Sequence, residues 1–170
     1  MIEDGFQLWV NLPSSLKMAT RVTGKSRPLK FQSLDWMGVM IEVIAGEVER
    51  VKGGVKEIFA DPGYLDVSIP PEKSYQQPVK HGHTAFAYVF EGKVLEVTKK
   101  ITPQASNHLI IFGEGDMVKA PTVNGPLRFL LISGKPLNEP IARYGPVMNT
   151  DEEIVEALKD LRKGTFVKQV

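Results

Sequence analysis

The chain has 170 residues, 42% of them hydrophobic, which is enough for one good core with an appended arm and helix. A formal net charge of +1, with basic residues scattered among acids, gives no support for a phosphate-gripping surface on nucleic acid or acidic membrane. With no cysteine there is no disulfide framework, thiolate metal site or cysteine nucleophile.

The opening MIEDGFQLWV has neither a basic region nor a long apolar core, and no run approaches membrane-spanning length, so the expectation is a soluble cytoplasmic protein. From Phe6 to Leu12, Phe6, Leu8, Val10 and Leu12 alternate with Gln7, Trp9 and Asn11, a strand pattern stopped by Pro13. A strand so near the start has no upstream partner and must pair far along the chain or with another molecule. Ser14 to Ser33, with Gly24 and Pro28 in a basic, weakly apolar run, reads as an irregular connector. This divides the chain into an arm strand and connector (1–33), a β domain (34–135) and an extended arm with a terminal helix (136–170).

Beyond Trp36 the pattern is all-β. Strands are expected at Val39 to Ile44, Val55 to Phe59, Tyr64 to Ile69, Thr84 to Phe90, Lys93 to Val97, His108 to Phe112, Asp116 to Ala120 and Arg128 to Ile132. Glycine and proline breaks separate them, among them Pro62-Gly63, Glu91-Gly92 and Gly113 to Gly115. Many short strands so spaced predict a β-sandwich or barrel. After Phe129 to Ile132, Pro136, Pro140 and Pro146 keep the backbone extended. A helix then starts after Thr150, where Thr150 and Glu153 can form a capping box, and runs from Asp151 to about Lys163. Ile154, Val155, Leu158 and Leu161 form its apolar stripe, acids lead, bases trail, and Gly164 suits the left-handed end.

The C-terminal stretch resembles the signature of the pirin family. Gly134, Pro136, Leu137, Glu139, Pro140, Gly145, Pro146, Met148, Asn149, Thr150, Glu152, Glu153 and Ile154 carry that resemblance. GFQLWVNLP with Lys17 and Met18, and the turn Gly113, Glu114, Gly115, Asp116, extend it over almost the whole chain. The resemblance implies a cupin-type, jelly-roll-like double-stranded β-sandwich with an N-terminal arm strand and a C-terminal helix. Pirins are double cupins, and this chain resembles only their C-terminal half. Their iron ligands belong to the N-terminal cupin and precede the segment that GFQLWVNLP resembles. The family's iron-dependent quercetin dioxygenase activity therefore maps onto no residue here, and the resemblance implies a cupin without cofactor, any iron lying in a partner cupin.

Metal-dependent cupins use His-x-His followed by a Glu, with a later His. On a strand, residues two apart point to one face. His81, Gly82 and His83 stand in the right neighbourhood, which makes His81 and His83 weak metal candidates. The carboxylate place is Ala87 counted from His83, or Ala85 counted from the Phe90, Glu91, Gly92 segment, and the later strand offers Met117, Val118, Lys119 and Ala120. Two imidazoles and water fall short of the usual three or four protein ligands. The plainer reading is a polar loop at the barrel mouth beside Lys80. His108 reads as a half-buried sheet residue. Ser106, Asn107 and His108 form a local cluster without a nucleophile elbow, and catalytic residues are expected to be absent.

Three readings remain. The first is a non-catalytic pirin-like module that homodimerises, by strand exchange through Phe6, Leu8, Trp9 and Val10 or by helix docking through Ile154, Val155, Leu158 and Leu161. The second is one subunit of a split pirin whose separate N-terminal cupin carries the dioxygenase iron. The third is a small-ligand binder with an interior lined by His81, His83, Phe86 and Tyr88. No DNA-reading helix is recognisable, so direct nucleic-acid and membrane contacts are not expected.

Overall fold

The apolar run around Phe129 is a strand with neighbours on both sides, which is why it carries large side chains at consecutive positions. In the computed structural model, which describes residues 5–19, 31–55, 59, 61–92, 107–143 and 145–166, it belongs to the unit Arg27–Pro136; Met1–Ser26 and Leu137–Val170 make a second unit.

In the first unit the strands are β1 (Gln32–Trp36), β2 (Val39–Ala45), β3 (Glu47–Val48), β4 (Val51–Lys52), β5 (Gly63–Ile69), β6 (Ser74–Pro78), β7 (Thr84–Gly92), β8 (His108–Ile111), β9 (Met117–Pro121) and β10 (Leu127–Gly134). One six-stranded sheet runs β1-β2-β5-β10-β7-β8, all pairs antiparallel. A second, two-stranded sheet pairs β6 with β9, and β3 with β4 form a small hairpin. The inner face of the large sheet sends in Val39, Ile41, Val43, Leu65, Val67, Ile69, Ala85, Ala87, Val89, Leu127, Phe129 and Leu131, and the β6–β9 pair answers with Tyr75, Val118 and Ala120. Each fully buried Val, Leu or Ile there contributes about 1.5–3 kcal/mol of transfer free energy. The result is the expected cupin-like sandwich.

Two glycines are required by geometry. Gly92, at φ +86°, ends β7 where an added Cβ would meet the Pro126 carbonyl oxygen at 2.1 Å, next to the register shift between Arg128 and Phe129. Gly53 lies so close to β2 that a Cβ would sit 2.6 Å from the Ala45 Cα and from the Ile44 oxygen.

The second unit, described by itself, holds a short 3-10 turn (Ser14–Leu16), β11 (Ala142–Arg143) paired with β12 (Val147–Met148), and α1 (Asp151–Lys163). Both halves of the capping box are formed, and Gly164 takes φ +70° at the C-terminus. Ile154, Ala157 and Met148 form its small core, with Met18, Ala142, Leu158 and Phe166 packed around them. The backbone N–H of Ser14 and the side-chain amide of Asn149 both donate to Glu139 Oε2, at 2.8 and 2.9 Å. Lys17 Nζ donates to Asn11 Oδ1 at 2.8 Å and to the Val147 carbonyl at 3.0 Å.

Several expectations need correction. Among the described residues, 5–13 belong to no strand, because period-two apolarity makes a strand only where a ladder partner is offered. Of the expected strand Val55 to Phe59, residues 56–58 lie outside the described residues; Val55 makes one isolated bridge to Ala45 and Phe59 lies in a turn. The expected strand Lys93 to Val97, and Ser106, lie outside the described residues. The helix stripe is Ile154, Ala157 and Leu158, whereas Val155 (51%) and Leu161 (48%) are exposed. β1, β6, the β3–β4 hairpin and β11–β12 were not foreseen.

Candidate functional site

The sandwich interior is apolar where a cupin ion would sit. Ala85, Ala87 and Val118 are 6%, 4% and 5% exposed, so the carboxylate place and the later strand point methyl groups inward. Among the described residues no group of three or more His, Cys, Asp or Glu is placed to hold a metal ion. The side chains present do not fit the iron site of the metal-bearing cupins.

His81 and His83 do not share a face. The same-face rule holds within a strand, but these residues form the turn ahead of β7, closed by a hydrogen bond from the His83 N–H to the Lys80 carbonyl at 3.0 Å, with Gly82 at φ +77°. His81 is left exposed, while the His83 side chain is turned in and only 8% exposed. His83 lines a cavity of about 750 Å³ at this mouth of the sandwich, between the ends of β2, β5, β6 and β10 and the β3–β4 hairpin. The cavity has an apolar floor that includes Leu65, Val79 and Leu131 and a charged rim. On that rim Lys80 Nζ is 2.5 Å from Asp61 Oδ2 and Lys52 Nζ is 3.8 Å from Glu47 Oε2. Tyr75, 1% exposed, donates its hydroxyl to Gln77 Oε1 at 2.7 Å and so fixes that lining amide; burial pushes the phenol well above its ordinary range.

Phe86 and Tyr88 are placed differently from the expectation that they line the interior. Alternation along β7 turns Ala85, Ala87 and Val89 inward and puts Phe86 and Tyr88, both half-buried, on the opposite face. There they stand in two cross-strand rows. One reads Ile111, Phe86, Ile132, Tyr64, and the other Leu109, Tyr88, Leu130, Asp66. Ile111 is 71% and Leu109 57% exposed. Towards β2 the face turns polar: Arg128 holds Asp66 in a bidentate pair at 3.0 and 2.7 Å and lies 5.1 Å from the Phe90 ring centroid. The hydrogen bonds to Asp66 keep the guanidinium even more firmly protonated than usual. The sequence signal for this face was present: Leu130 and Ile132 are large and apolar on the side of β10 opposite Phe129 and Leu131.

The expected association residues separate into two kinds. Trp9 (79%), Phe6 (48%) and Val10 (37%) are exposed and Leu8 is half-buried. On α1, Val155 and Leu161 are exposed, but Ile154 and Leu158 are spent on the core of their own unit. His108 is exposed rather than half-buried. No helix among the described residues is long and apolar enough to cross a membrane.

Residues 64–167 match the family model described as the pirin C-terminal cupin domain. The chain is 39% identical over 171 residues to a putative pirin-like protein of Arabidopsis thaliana, covering 96% of this chain and 61% of the relative. It is 38% identical to human pirin, covering 93% of this chain and 55% of that protein. It is also 36% identical to a putative quercetin 2,3-dioxygenase of Thermoplasma acidophilum, covering 96% of this chain and 65% of the relative. Among solved structures, a quercetin 2,3-dioxygenase from Acinetobacter baumannii superposes with a TM-score of 0.73 at 34% identity, over 93% of this chain and 55% of that one. The chain thus spans 55–65% of the length of these relatives.

Proposed function

The chain belongs to the pirin family through its C-terminal cupin domain, and on that premise we propose that it is a non-catalytic cupin that works by association, seating a second cupin domain on the outer face of its six-stranded sheet. The observation that carries this reading is the exposed end of the two cross-strand rows, Leu109 and Ile111 at 57% and 71% beside half-buried Tyr88 and Phe86, whereas Leu130 and Ile132 further along are already buried within the chain. A contiguous apolar patch is costly to leave in water and marks an interaction surface. About two fifths of the length of these relatives lies outside the match, room for one more cupin domain, and such a domain, on this chain or on another, is the occupant proposed. Dioxygenase chemistry, where the assembly has it, belongs to that partner; the methyl groups of Ala85 and Ala87 offer it no ligand.

Light scattering after size exclusion, on the chain alone and mixed with the iron-bearing N-terminal cupin of a pirin, tests this. The expected result is a 1:1 complex that the double substitution Leu109→Lys, Ile111→Lys weakens at least a hundredfold, because two unpaired ammonium groups cannot be buried cheaply. A homodimer broken by the same substitutions makes a second copy of the chain the occupant instead. A monomer that binds nothing, or a complex indifferent to the substitutions, overturns the reading.

A further inference from the structure

We propose that the cavity at the mouth of the sandwich binds a small monoanionic acid, one carboxylate on a compact apolar body, with His83 and Arg50 as its polar contacts. This stands on a different part of the unit from the association face and holds or fails independently of it.

The starting observation is His83. Its side chain is more than nine-tenths buried, yet its ring makes no hydrogen bond to any described residue. Nε2 lies 3.8 Å from Asp61 Oδ2, beyond hydrogen-bond length, and that oxygen is already engaged by Lys80 Nζ. The ring nitrogens open into a cavity of about 750 Å³, so the imidazole can offer an N–H to an acceptor bound there. That volume is in the ordinary range for small-molecule sites.

The walls decide the class of ligand. The floor residues Leu65, Val79 and Leu131 ask for an apolar body. At the rim the charges balance: Glu47, Glu49 and Asp61 face Arg50, Lys52 and Lys80. Lys52 and Lys80 are already paired, which leaves Arg50 as the cation with no partner among the described residues. Glu49 beside it disfavours a multiply charged anion such as phosphate. One carboxylate, accepting from the His83 ring and the Arg50 guanidinium, satisfies both.

The backbone at the rim agrees. Glu49 and Arg50 take φ +46° and +70° in the two-residue loop between β3 and β4. Asn-Gly suits such a loop best, and two long charged residues strain it. Strain of this kind is tolerated where side chains are needed for something other than stability.

Benzoate is a suitable probe, with benzyl alcohol and inorganic phosphate as controls, followed by the histidine-ring resonances of the whole chain in solution. Benzoate is expected to shift the His83 ring saturably, while benzyl alcohol and phosphate do not. His83→Gln should weaken benzoate at least tenfold and Arg50→Ala about fivefold. The double substitution Glu49→Asn, Arg50→Gly separates binding from folding: it should melt no lower than the parent and still lose the Arg50 share of affinity. No saturable shift with millimolar benzoate, phosphate binding as tightly as benzoate, or His83→Gln binding like the parent each overturns the proposal.

Discussion

Replacing Gly92 by alanine tests whether the end of β7 is held by contact as well as by conformation. At φ +86° any L side chain pays about 1–2 kcal/mol for the left-handed backbone. The added Cβ would also stand 2.1 Å from the Pro126 carbonyl oxygen and 3.0 Å from the Leu127 Cα, where backbone rather than a pliable side chain must give way. Overpacking of that sort costs about 1–3 kcal/mol more, so Gly92→Ala should lose about 2–5 kcal/mol. Gly82 is the control. Its φ is +77° but nothing lies within 4 Å, so Gly82→Ala should lose only the conformational share, about 1–2 kcal/mol. Gly113, in open space and without a positive φ, should change by no more than about 0.5 kcal/mol. Urea unfolding of the three variants, with the slope against denaturant checked for constancy, reads the differences directly. Equal losses for Gly82→Ala and Gly92→Ala, or a Gly92→Ala variant as stable as the parent, would refute the claim that close approach of β10 dictates glycine there.

The helix offers a second comparison. Ile154, 6% exposed, should cost about 2–5 kcal/mol of the stability of its unit when cut to alanine, and Val155, 51% exposed, about 0.5 kcal/mol or less, measured by thermal melting followed by circular dichroism. Equal losses would restore Val155 to the buried stripe. The third concerns acid. Hydrogen bonds from the Ser14 N–H and then the Asn149 amide hold the Glu139 carboxyl below its ordinary value of 4.5. A depressed carboxylate stabilises the folded form above that ordinary value, and the contribution is lost as pH falls through the lower folded one. The Ser14 and Asn149 amide shifts should therefore titrate together with a midpoint below 4.5. A midpoint at or above it would mean that Glu139 does not tie the two segments.

What the sequence made legible was whatever is decided locally. The capping box at Thr150 and Glu153 depends on residues three apart, and both hydrogen bonds are made. Gly164 and the strands built on Val39, Tyr64 and Phe129 were equally plain. β1 and β6 were not, because QSLDW and SYQQP set only Leu34 and Tyr75 against the core while Trp36 stays exposed, and only the neighbouring strands make ladders of them. His83 was expected as an interior contact together with His81, but the left-handed Gly82 removes the turn from strand periodicity, so His83 enters the cavity without its neighbour.

The parity of β7 is the more instructive error. Large residues usually face the core, and on that rule Phe86 and Tyr88 belong inside. The interior instead takes Ala85, Ala87 and Val89, which share one buried cluster with Phe129, Tyr75 and Val118. Period-two patterning gives two faces but does not say which is the core. Here it gives two apolar faces, one closed by β6 and β9 and one running out to Leu109 and Ile111. On that second face Leu130 and Ile132 are already buried within the chain, and what is left in water is the β8 end of the rows, Leu109 and Ile111 beside Tyr88 and Phe86, away from the Arg128–Asp66 pair. That exposed end is the physical ground of the proposal that this cupin works by association.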